Sequence, residues 1–490
     1  MHVRKPNDRA PRVERMALAA AALFLLVPAA LLAPRAAGDS GEYYLTAESL
    51  LNHGTPELRG TDLAQMGARM SRQPVEGGFR TVRAYRPGRA GGLYAQHFWA
   101  YPAVTLPARV VLRRLGANEH KAFQITNALM LLGALWLWLT ASPWPLRWRL
   151  LGAALLLLSP IGWFVRWAHP EVFSASLVVA ALCWWRAGAA VRATLAAALA
   201  ALQNPPLVVL AGLLWAHAVL ARGGPRPRRI ALATLAALPA ALPYAFNMWA
   251  FGTPSQIADE NIHVSLISTA RALEVLLDLN IGLLPYAPLT VLLALAATGV
   301  GLARPGVRGV VVSAGAAFVA MALVCSAMHD WNHGTSGPSR YAVWLFPMLV
   351  LVICEAFARV RSALPAAAAA LAAVAQLAVF AARQGFSAPS DYLQHSWAAR
   401  LVLLHRPALY APTHEIFIER TAHQDWPADG MDGPFVYAAG GRCRKALAQK
   451  RHAPALGDQC GGLPPAFTRF VAEVKERGGG RSEWVYVDYE

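Results

Sequence analysis

Long apolar runs, separated by short polar or basic connections, recur along most of this chain. Several runs approach the ~20 residues that an α-helix needs to cross the hydrocarbon core of a bilayer. The pattern predicts spans at residues 16–34, 122–140, 150–165, 170–186, 230–248, 281–301, 309–328, 341–358 and 364–382. We therefore expect an all-α polytopic membrane protein.

One further apolar stretch, between Arg192 and Arg222, is interrupted at residues 203–206 by the sequence Gln-Asn-Pro-Pro. The stretch is too short for two full crossings. Proline cannot continue a helix, and irregular backbone within a membrane must be shielded by protein. We predict a hairpin of two short helices here, which brings the total to about eleven transmembrane or half-spanning helices.

Composition agrees with a membrane protein. Of the 490 residues, 56% are hydrophobic and only 15% are charged, whereas a soluble domain carries about 25% charged residues. The formal net charge of +17 does not indicate nucleic-acid binding, because the basic residues are split among short connections and form no basic helix or patch. No nucleic-acid partner is expected.

The basic residues also predict an orientation. When the N-terminus and every second connection are assigned to the cytoplasm, that side holds seventeen basic residues against Asp8 and Glu14. This excess follows the positive-inside rule. It predicts a multi-pass protein of a bacterial inner membrane, with a cytoplasmic N-terminus and a periplasmic C-terminus. The first apolar run is too long for the core of a cleaved signal peptide and is interpreted as an anchor.

The first connection, residues 35–121, would then face outward as a large periplasmic loop. Within it, residues 40–51 and 101–115 have apolar residues spaced along one helix face. That spacing is typical of helices that lie on a bilayer surface. A Gly/Arg-rich, weakly structured loop from Thr55 to Gly92 is expected to join the two interfacial helices.

The tail, residues 383–490, has a soluble composition and predicts a small periplasmic α/β domain after a transmembrane domain at residues 1–382. Its sequence alternates as strands do near residues 435–437 and 484–489. Cys443 and Cys460 both lie in the tail, where an oxidising compartment permits a disulfide. A disulfide and two free thiols remain equal alternatives. The other three cysteines fall in apolar spans and are expected to be packing residues.

The predicted spans are almost free of ionisable residues, and Glu355 is the main exception. Carriers and pumps usually place charged residues at bilayer depth. Here such residues gather at the outer ends of the spans, at Asp39, Glu42, Glu48, His97, His169, Glu171, Asp259, Glu260, His263, His329, Asp330, His333 and Arg340. The distribution predicts chemistry at the outer boundary between membrane and water.

Four short motifs fall on this side. Asp39 directly follows the first span and precedes a Tyr-Tyr-Leu helix that ends in His-Gly. Tyr94-Ala-Gln-His97 precedes the second surface helix, His169-Pro170-Glu171 opens a span, and residues 331–341 precede another. Their order and topology, over about residues 16–360, resemble those of bacterial type-C (GT-C) membrane glycosyltransferases. That superfamily uses polyprenyl-phosphate sugars and includes protein O-mannosyltransferases and the aminoarabinose transferase of lipid A.

The resemblance implies that Asp39 is the catalytic base of an inverting sugar transfer, with Glu42 as a second catalytic candidate. The family often has Asp-Glu at this point, whereas this chain reads Asp39-Ser40-Gly41-Glu42. From the residues alone, Asp39 and Glu42 also have the spacing of a capping box for the helix that follows. The two roles can coexist. Glu48, further along the helix, is expected to be solvated.

Inverting transfer needs a base for the acceptor hydroxyl and a cation for the departing phosphate. Arg340 is the candidate for the phosphate, because a guanidinium offers a forked pair of donors. The alternative is an interfacial anchor that reaches lipid headgroups. Further substrate-binding candidates are Tyr94, His97, His169, Glu171 and His333. A divalent cation is left open, because no recognised metal motif occurs.

The sequence thus predicts an integral membrane glycosyltransferase that moves a sugar from a polyprenyl-phosphate donor to a periplasmic lipid, glycan or protein. Two alternatives stay open. A transporter or flippase for a lipid-linked substrate is supported by the interrupted helix at residues 203–206. A catalytically inactive relative that serves as an assembly partner is supported by the departure at Ser40 and Gly41.

Overall fold

The computed structural model describes residues 9–77, 85–220, 226–332, 334, 337–425, 432–476 and 484–489. The protein is mostly helical, at 68%, with a small sheet near the C-terminus. Six helices are long and apolar enough to cross a membrane. A helical membrane protein was the expected class.

The α-helices are α1 (Arg9–Leu31), α2 (Ser40–His53), α3 (Gly60–Met70), α4 (Ala100–Arg114), α5 (Ala122–Ala141), α6 (Leu146–Leu157), α7 (Glu171–Arg186), α8 (Ala190–Ala201), α9 (Val208–Leu220), α10 (Arg226–Ala237), α11 (Leu242–Ala250), α12 (Gln256–Asn261), α13 (Thr269–Leu277), α14 (Pro288–Leu302), α15 (Pro305–Cys325), α16 (Arg340–Phe357), α17 (Leu364–Ala382), α18 (Trp397–His405), α19 (His414–Ala422), α20 (Ala453–Cys460) and α21 (Pro465–Glu476). The strands are β1 (Tyr85–Pro87), β2 (Leu93–Ala95), β3 (Phe435–Ala439), β4 (Arg442–Ala448) and β5 (Val485–Asp488). Short 3₁₀ turns include Pro160–Phe164, Pro205–Leu207 and Leu238–Ala241.

Six predicted spans are present as helices of sufficient length, namely α1, α5, the continuous α10–α11 segment, α15, α16 and α17. The runs predicted at residues 150–165, 170–186 and 281–301 are helices of 12, 16 and 15 residues. These are shorter than the ~20 residues of a full crossing. The count of about eleven spans is therefore not confirmed.

The predicted hairpin after Arg192 is present. Helix α8 ends before the Asn-Pro-Pro sequence, a 3₁₀ turn follows, and α9 returns. The Asn204 side chain donates to Oγ of Ser174 at 2.6 Å, and Oε1 of Gln203 accepts from the backbone N–H of Tyr101 at 3.1 Å. Protein groups thus satisfy polar groups at the tip, as irregular backbone inside a membrane requires.

Helix α16 lies at the centre of the helical bundle. Nearly all of its residues are buried, and it packs against α6, α7, α14 and α15. A helix that is apolar on every side must be covered by protein or by lipid, and protein covers α16. Because α16 begins at Arg340, the bundle fixes this arginine at one of its ends.

The first connection is more buried than predicted. Helices α2 and α4 occur where the two interfacial helices were expected. Residues 40–49 of α2 are all buried, so α2 is a core helix and the prediction of a surface helix was wrong. In α4 the predicted apolar face, including Val104, Val111 and Leu115, is exposed. A helix on a membrane surface would present such a face.

The loop that was predicted to be weakly structured contains helix α3 and strand β1, which pairs with β2 directly after the loop. Asp62 explains the position of α3. Its carboxylate accepts from the backbone N–H of Arg59 at 2.8 Å and from the Asn52 side chain at 2.8 Å, and it contacts His53 at 3.0 Å. These contacts attach the start of α3 to the end of α2.

The tail packs against the end of the bundle that carries Arg340. Strands β3, β4 and β5 form an antiparallel sheet, and Cys443 and Cys460 form a disulfide. Both predicted strands are present, and β4 between them was not predicted. From α19, Oε1 of Glu415 accepts from the backbone N–H groups of Trp331 and Asn332. The tail thereby contacts the segment that leads into α16.

Candidate functional site

Asp39 precedes α2 and occupies its N-cap position, yet it does not act as a cap. Within the described residues, its side chain accepts no capping hydrogen bond. Glu42 directs its carboxylate to His97, accepting from the backbone N–H at 2.6 Å and contacting ring Nδ1 at 2.9 Å. The capping box that the spacing suggested is therefore not formed. The Asp39 side chain keeps 37% of its surface exposed.

Three basic side chains surround the Asp39 carboxylate. Oδ2 of Asp39 lies 3.5 Å from Nε2 of His169, 3.9 Å from Nε2 of His97 and 3.9 Å from Nη1 of Arg340. Nη1 of Arg340 is 3.4 Å from Nε2 of His169. We call these four residues the Asp39 centre. They come from four positions that are distant in sequence, and the fold brings them together.

Both histidines are held in place on the side away from Asp39. His97 is fixed by Glu42, as described above. His169 contacts Oε1 of Glu171 through Nδ1 at 2.9 Å and stacks on the ring of Trp167 at a centroid distance of 4.0 Å. The indole N–H of Trp344 donates to Glu171. Each imidazole therefore presents Nε2 toward Asp39.

The segment before Arg340 forms a close turn. Gly337 has φ +76°, and a Cβ there would lie 2.5 Å from the Trp163 ring. Only glycine fits such a backbone without strain. Ser339 then caps α16, because its hydroxyl accepts from the backbone N–H of Tyr341 at 3.3 Å. The Arg340 guanidinium lies over the Tyr341 ring at 5.4 Å, which orients it toward Asp39.

Neighbouring charges shift the pKa values of Asp39 and His97. Burial alone would raise the pKa of Asp39, but a hydrogen bond from His169 and the charges of His97 and Arg340 hold it well below its usual range. Burial alone would lower the pKa of His97, but Glu42 and Asp39 raise it above the ordinary value of 6.5. At neutral pH the centre thus holds an ionised carboxylate beside at least one permanent cation.

Several predicted site residues lie elsewhere. Tyr94 is in β2 and packs against Phe246, Trp249 and Phe251, in an aromatic cluster apart from Asp39. Glu48 is fully buried in a different ion-pair cluster, so its assignment as a solvated position was wrong. His333 and the side chains of Asp259 and Glu260 lie outside the described residues.

Glu42 and Glu171 have supporting positions. Glu42 is 1% exposed and Glu171 is fully buried, and each carboxylate binds a histidine of the Asp39 centre. Each of these histidines lies between its carboxylate and Asp39. This geometry suits positioning residues, while the catalytic role of Glu42 and the substrate-binding role of Glu171 stay predictions.

No metal site is evident in the part of the chain that the structure describes, where no group of three His, Cys, Asp or Glu side chains has suitable geometry. A divalent cation stays a prediction. The residues that are present suit an anion better, because Arg340 and His97 add positive charge beside Asp39.

Two residues of the site were not recognised from the sequence. Trp344 lies one helical turn after Arg340, and Tyr43 lies one turn after Asp39, with its ring edge-on to His169 at a centroid distance of 5.1 Å and tilted to His97 at 5.6 Å. The i, i+4 spacing from each charged residue was the available signal, because such positions share a helix face.

An exposed carboxylate beside fixed cations can accept a proton from a hydroxyl while the cations hold an anionic leaving group. No protein-family model, no curated protein and no solved structure matches this chain. Its chemistry must therefore be argued from the site itself.

Proposed function

We propose that this protein is an integral membrane glycosyltransferase that uses a polyprenyl-phosphate sugar. The observation that carries the proposal is the Asp39 centre, in which a part-exposed carboxylate lies within 4 Å of Arg340, His97 and His169. The centre lies at one end of a bundle whose helices are apolar enough to cross a membrane. A lipid-linked phosphate can reach such a place from the bilayer, and an acceptor can reach it from water.

In the proposed reaction, the acceptor oxygen attacks the anomeric carbon of the donor sugar. The bond between that carbon and the phosphate oxygen breaks, and its electron pair leaves with polyprenyl phosphate. The acceptor proton passes to the Asp39 carboxylate. Arg340 stabilises the charge of the departing phosphate through its guanidinium donors. The attack from the opposite face inverts the anomeric configuration.

The low pKa of Asp39 makes it a weak base before the donor binds, because the neighbouring cations favour its ionised form. An anionic phosphate beside Arg340 would partly neutralise those cations. The pKa of Asp39 would then rise, and its carboxylate would become a stronger base. Donor binding is thus expected to prepare the base for proton transfer.

Orientation and substrates belong to the same proposal. We place the centre on the periplasmic face of a bacterial inner membrane, with the N-terminus in the cytoplasm, because the basic connections follow the positive-inside rule. The acceptor is a periplasmic lipid, glycan or protein. The transporter alternative stays open, since the interrupted helix at residues 203–206 that supports it is present.

The proposal is tested by incubating purified full-length protein with radiolabelled polyprenyl-phosphate sugars and a membrane extract as acceptor source. We expect wild-type protein to transfer label and Asp39→Asn to lower the rate by roughly 10²- to 10⁴-fold. Glu57→Gln, which changes a carboxylate of the same connection outside the centre, should transfer label at the wild-type rate. If none of the donor sugars supports transfer, the result would favour the transporter or the inactive relative.

A further inference from the structure

Tyr43 carries a buried hydroxyl that lacks a partner. The side chain is 1% exposed, and its hydroxyl has no hydrogen-bond partner among the described residues. A buried polar group without a hydrogen bond costs about 1–3 kcal/mol. Natural proteins rarely keep such a group unless a ligand or a water molecule supplies the missing hydrogen bond.

Two other buried tyrosines of the same region, Tyr101 and Tyr85, have hydroxyl partners. The Tyr101 hydroxyl donates to Oδ1 of Asn127 at 3.0 Å, and the Tyr85 hydroxyl donates to the backbone oxygen of Glu42 at 3.1 Å. The region can therefore satisfy a buried tyrosine when the tyrosine has a structural role. Unlike these two tyrosines, Tyr43 lies against the Asp39 centre.

The Tyr43 ring lies against both histidines of that centre, edge-on to His169 and tilted to His97. Burial, followed by the nearby carboxylates of Glu42 and Asp39, raises the pKa of Tyr43 well above its usual range. The hydroxyl thus stays protonated and is available as a donor. The neighbouring Arg340 is also a donor. An anion with several acceptor oxygens would therefore accept hydrogen bonds from both Tyr43 and Arg340.

We propose that the Tyr43 hydroxyl donates a hydrogen bond to the phosphate of the lipid donor, together with Arg340. This inference rests on the proposed function and assigns a further substrate-binding residue to the same site. Phosphate oxygens are the fitting ligand because they accept several hydrogen bonds at once, and an ionised acceptor strengthens each of them.

The test measures binding of undecaprenyl phosphate to the full-length protein in nanodiscs, together with the thermal unfolding midpoint. Tyr43→Phe removes only the hydroxyl. We expect it to weaken binding roughly tenfold or more, with an unfolding midpoint equal to or above that of wild type. Tyr101→Phe is the matched control, and it should lower the midpoint and leave binding unchanged.

Two further arms separate the possible failures. Undecaprenol, which lacks the phosphate, should bind wild type and Tyr43→Phe equally. If Arg340→Gln abolishes undecaprenyl phosphate binding but Tyr43→Phe binds as wild type, the role of Tyr43 is wrong and the proposed phosphate site stands. If Arg340→Gln binds as wild type, the proposed function itself loses its phosphate site. A lower midpoint for Tyr43→Phe with unchanged binding would show that the hydroxyl is structural.

Discussion

Two charged clusters lie along helix α2, and they differ in how completely their charges are paired. Around Glu48, Arg69 and Arg109 each pair with both Glu48 and Glu119. The two contacts of Arg69 and the Arg109–Glu119 contact are 2.5 to 3.2 Å long, and Glu48 and Arg109 are almost fully buried. In the Asp39 centre, the corresponding distances are 3.5 to 3.9 Å, and the carboxylate is part-exposed. We call the Glu48 cluster closed, because its charges are paired within the protein. The Asp39 centre has hydrogen-bonding capacity left for a further group.

The difference indicates separate roles. Buried ion pairs at short distances join α2 to α3, α4 and the start of α5, and they offer nothing to a ligand. Loose contacts around an exposed carboxylate leave hydrogen-bonding capacity for a substrate. Charge alone therefore does not single out a candidate site in this protein. The proposed site rests on the unsatisfied geometry around Asp39.

The largest expected effect concerns activity. Asp39→Asn should lower sugar transfer by roughly 10²- to 10⁴-fold, the usual contribution of a general base. The unfolding midpoint should stay within error of wild type, because Asp39 makes no capping hydrogen bond. Transfer assays and thermal unfolding on the same preparation check both. An inactive variant that is also strongly destabilised would assign Asp39 a structural role.

The Glu48 cluster should show the reverse behaviour. Arg109→Met leaves Glu48 buried without its closest partner and should destabilise the protein by about 3–5 kcal/mol. Adding Glu48→Gln removes the uncompensated charge, so the double variant should recover part of the loss. Denaturant or thermal unfolding measures both changes. Equal stability of the single and double variants would contradict a closed structural cluster.

A smaller effect is expected when the charge of Arg340 is kept and its shape is changed. Arg340→Lys retains a cation but loses the forked pair of donors. We expect donor KM to rise roughly tenfold to a hundredfold, with a smaller change in kcat. Steady-state kinetics with varied donor concentration separate the two parameters. An unchanged KM would mean that the guanidinium does not hold the phosphate.

The smallest effect concerns pH. The raised pKa of His97 means that its charge, and the stability it adds, are fully present below pH 6.5 and are lost as pH rises through the folded-state pKa. Because the pKa of Asp39 is lowered, its carboxylate stays ionised through mildly acidic pH. Because the cation of His97 is lost as the pH rises, the rate of sugar transfer should fall at alkaline pH.

The variant Glu42→Gln isolates the cause of this pH dependence. Removing the carboxylate that binds Nδ1 of His97 should move the alkaline limb of the rate profile to lower pH. A pH–rate profile of both proteins measures the shift. An identical alkaline limb would assign the pH dependence to another group.

The extent to which this fold could be predicted varies with the signal in each segment. Continuous apolar runs such as α5 and α17 predicted their helices closely, because a lipid-facing helix must be apolar along its length. The shorter α6 and α14 were overestimated, since apolar turns at residues 160–164 and 281–287 continue the hydrophobic pattern without continuing the helix. Hydropathy cannot separate these cases.

The site was predictable in part. Asp39, His97, His169 and Arg340 were all candidates from the sequence, and the fold brings them together. Glu48 was misassigned because its partner Arg109 lies 61 residues away, and helix spacing carries no information on such a contact. Tyr94 was included for its motif neighbour His97, but β2 ends at Ala95, before His97, so nearness in sequence did not place the two side chains together.

The most direct test of the central claim is a cryo-electron microscopy map of the Asp39→Asn variant with a bound polyprenyl-phosphate sugar, which the variant should bind but not consume. The account predicts phosphate density within hydrogen-bonding distance of the Arg340 guanidinium and the sugar ring facing residue 39. Lipid phosphate density at another place, with none beside Arg340, would contradict it.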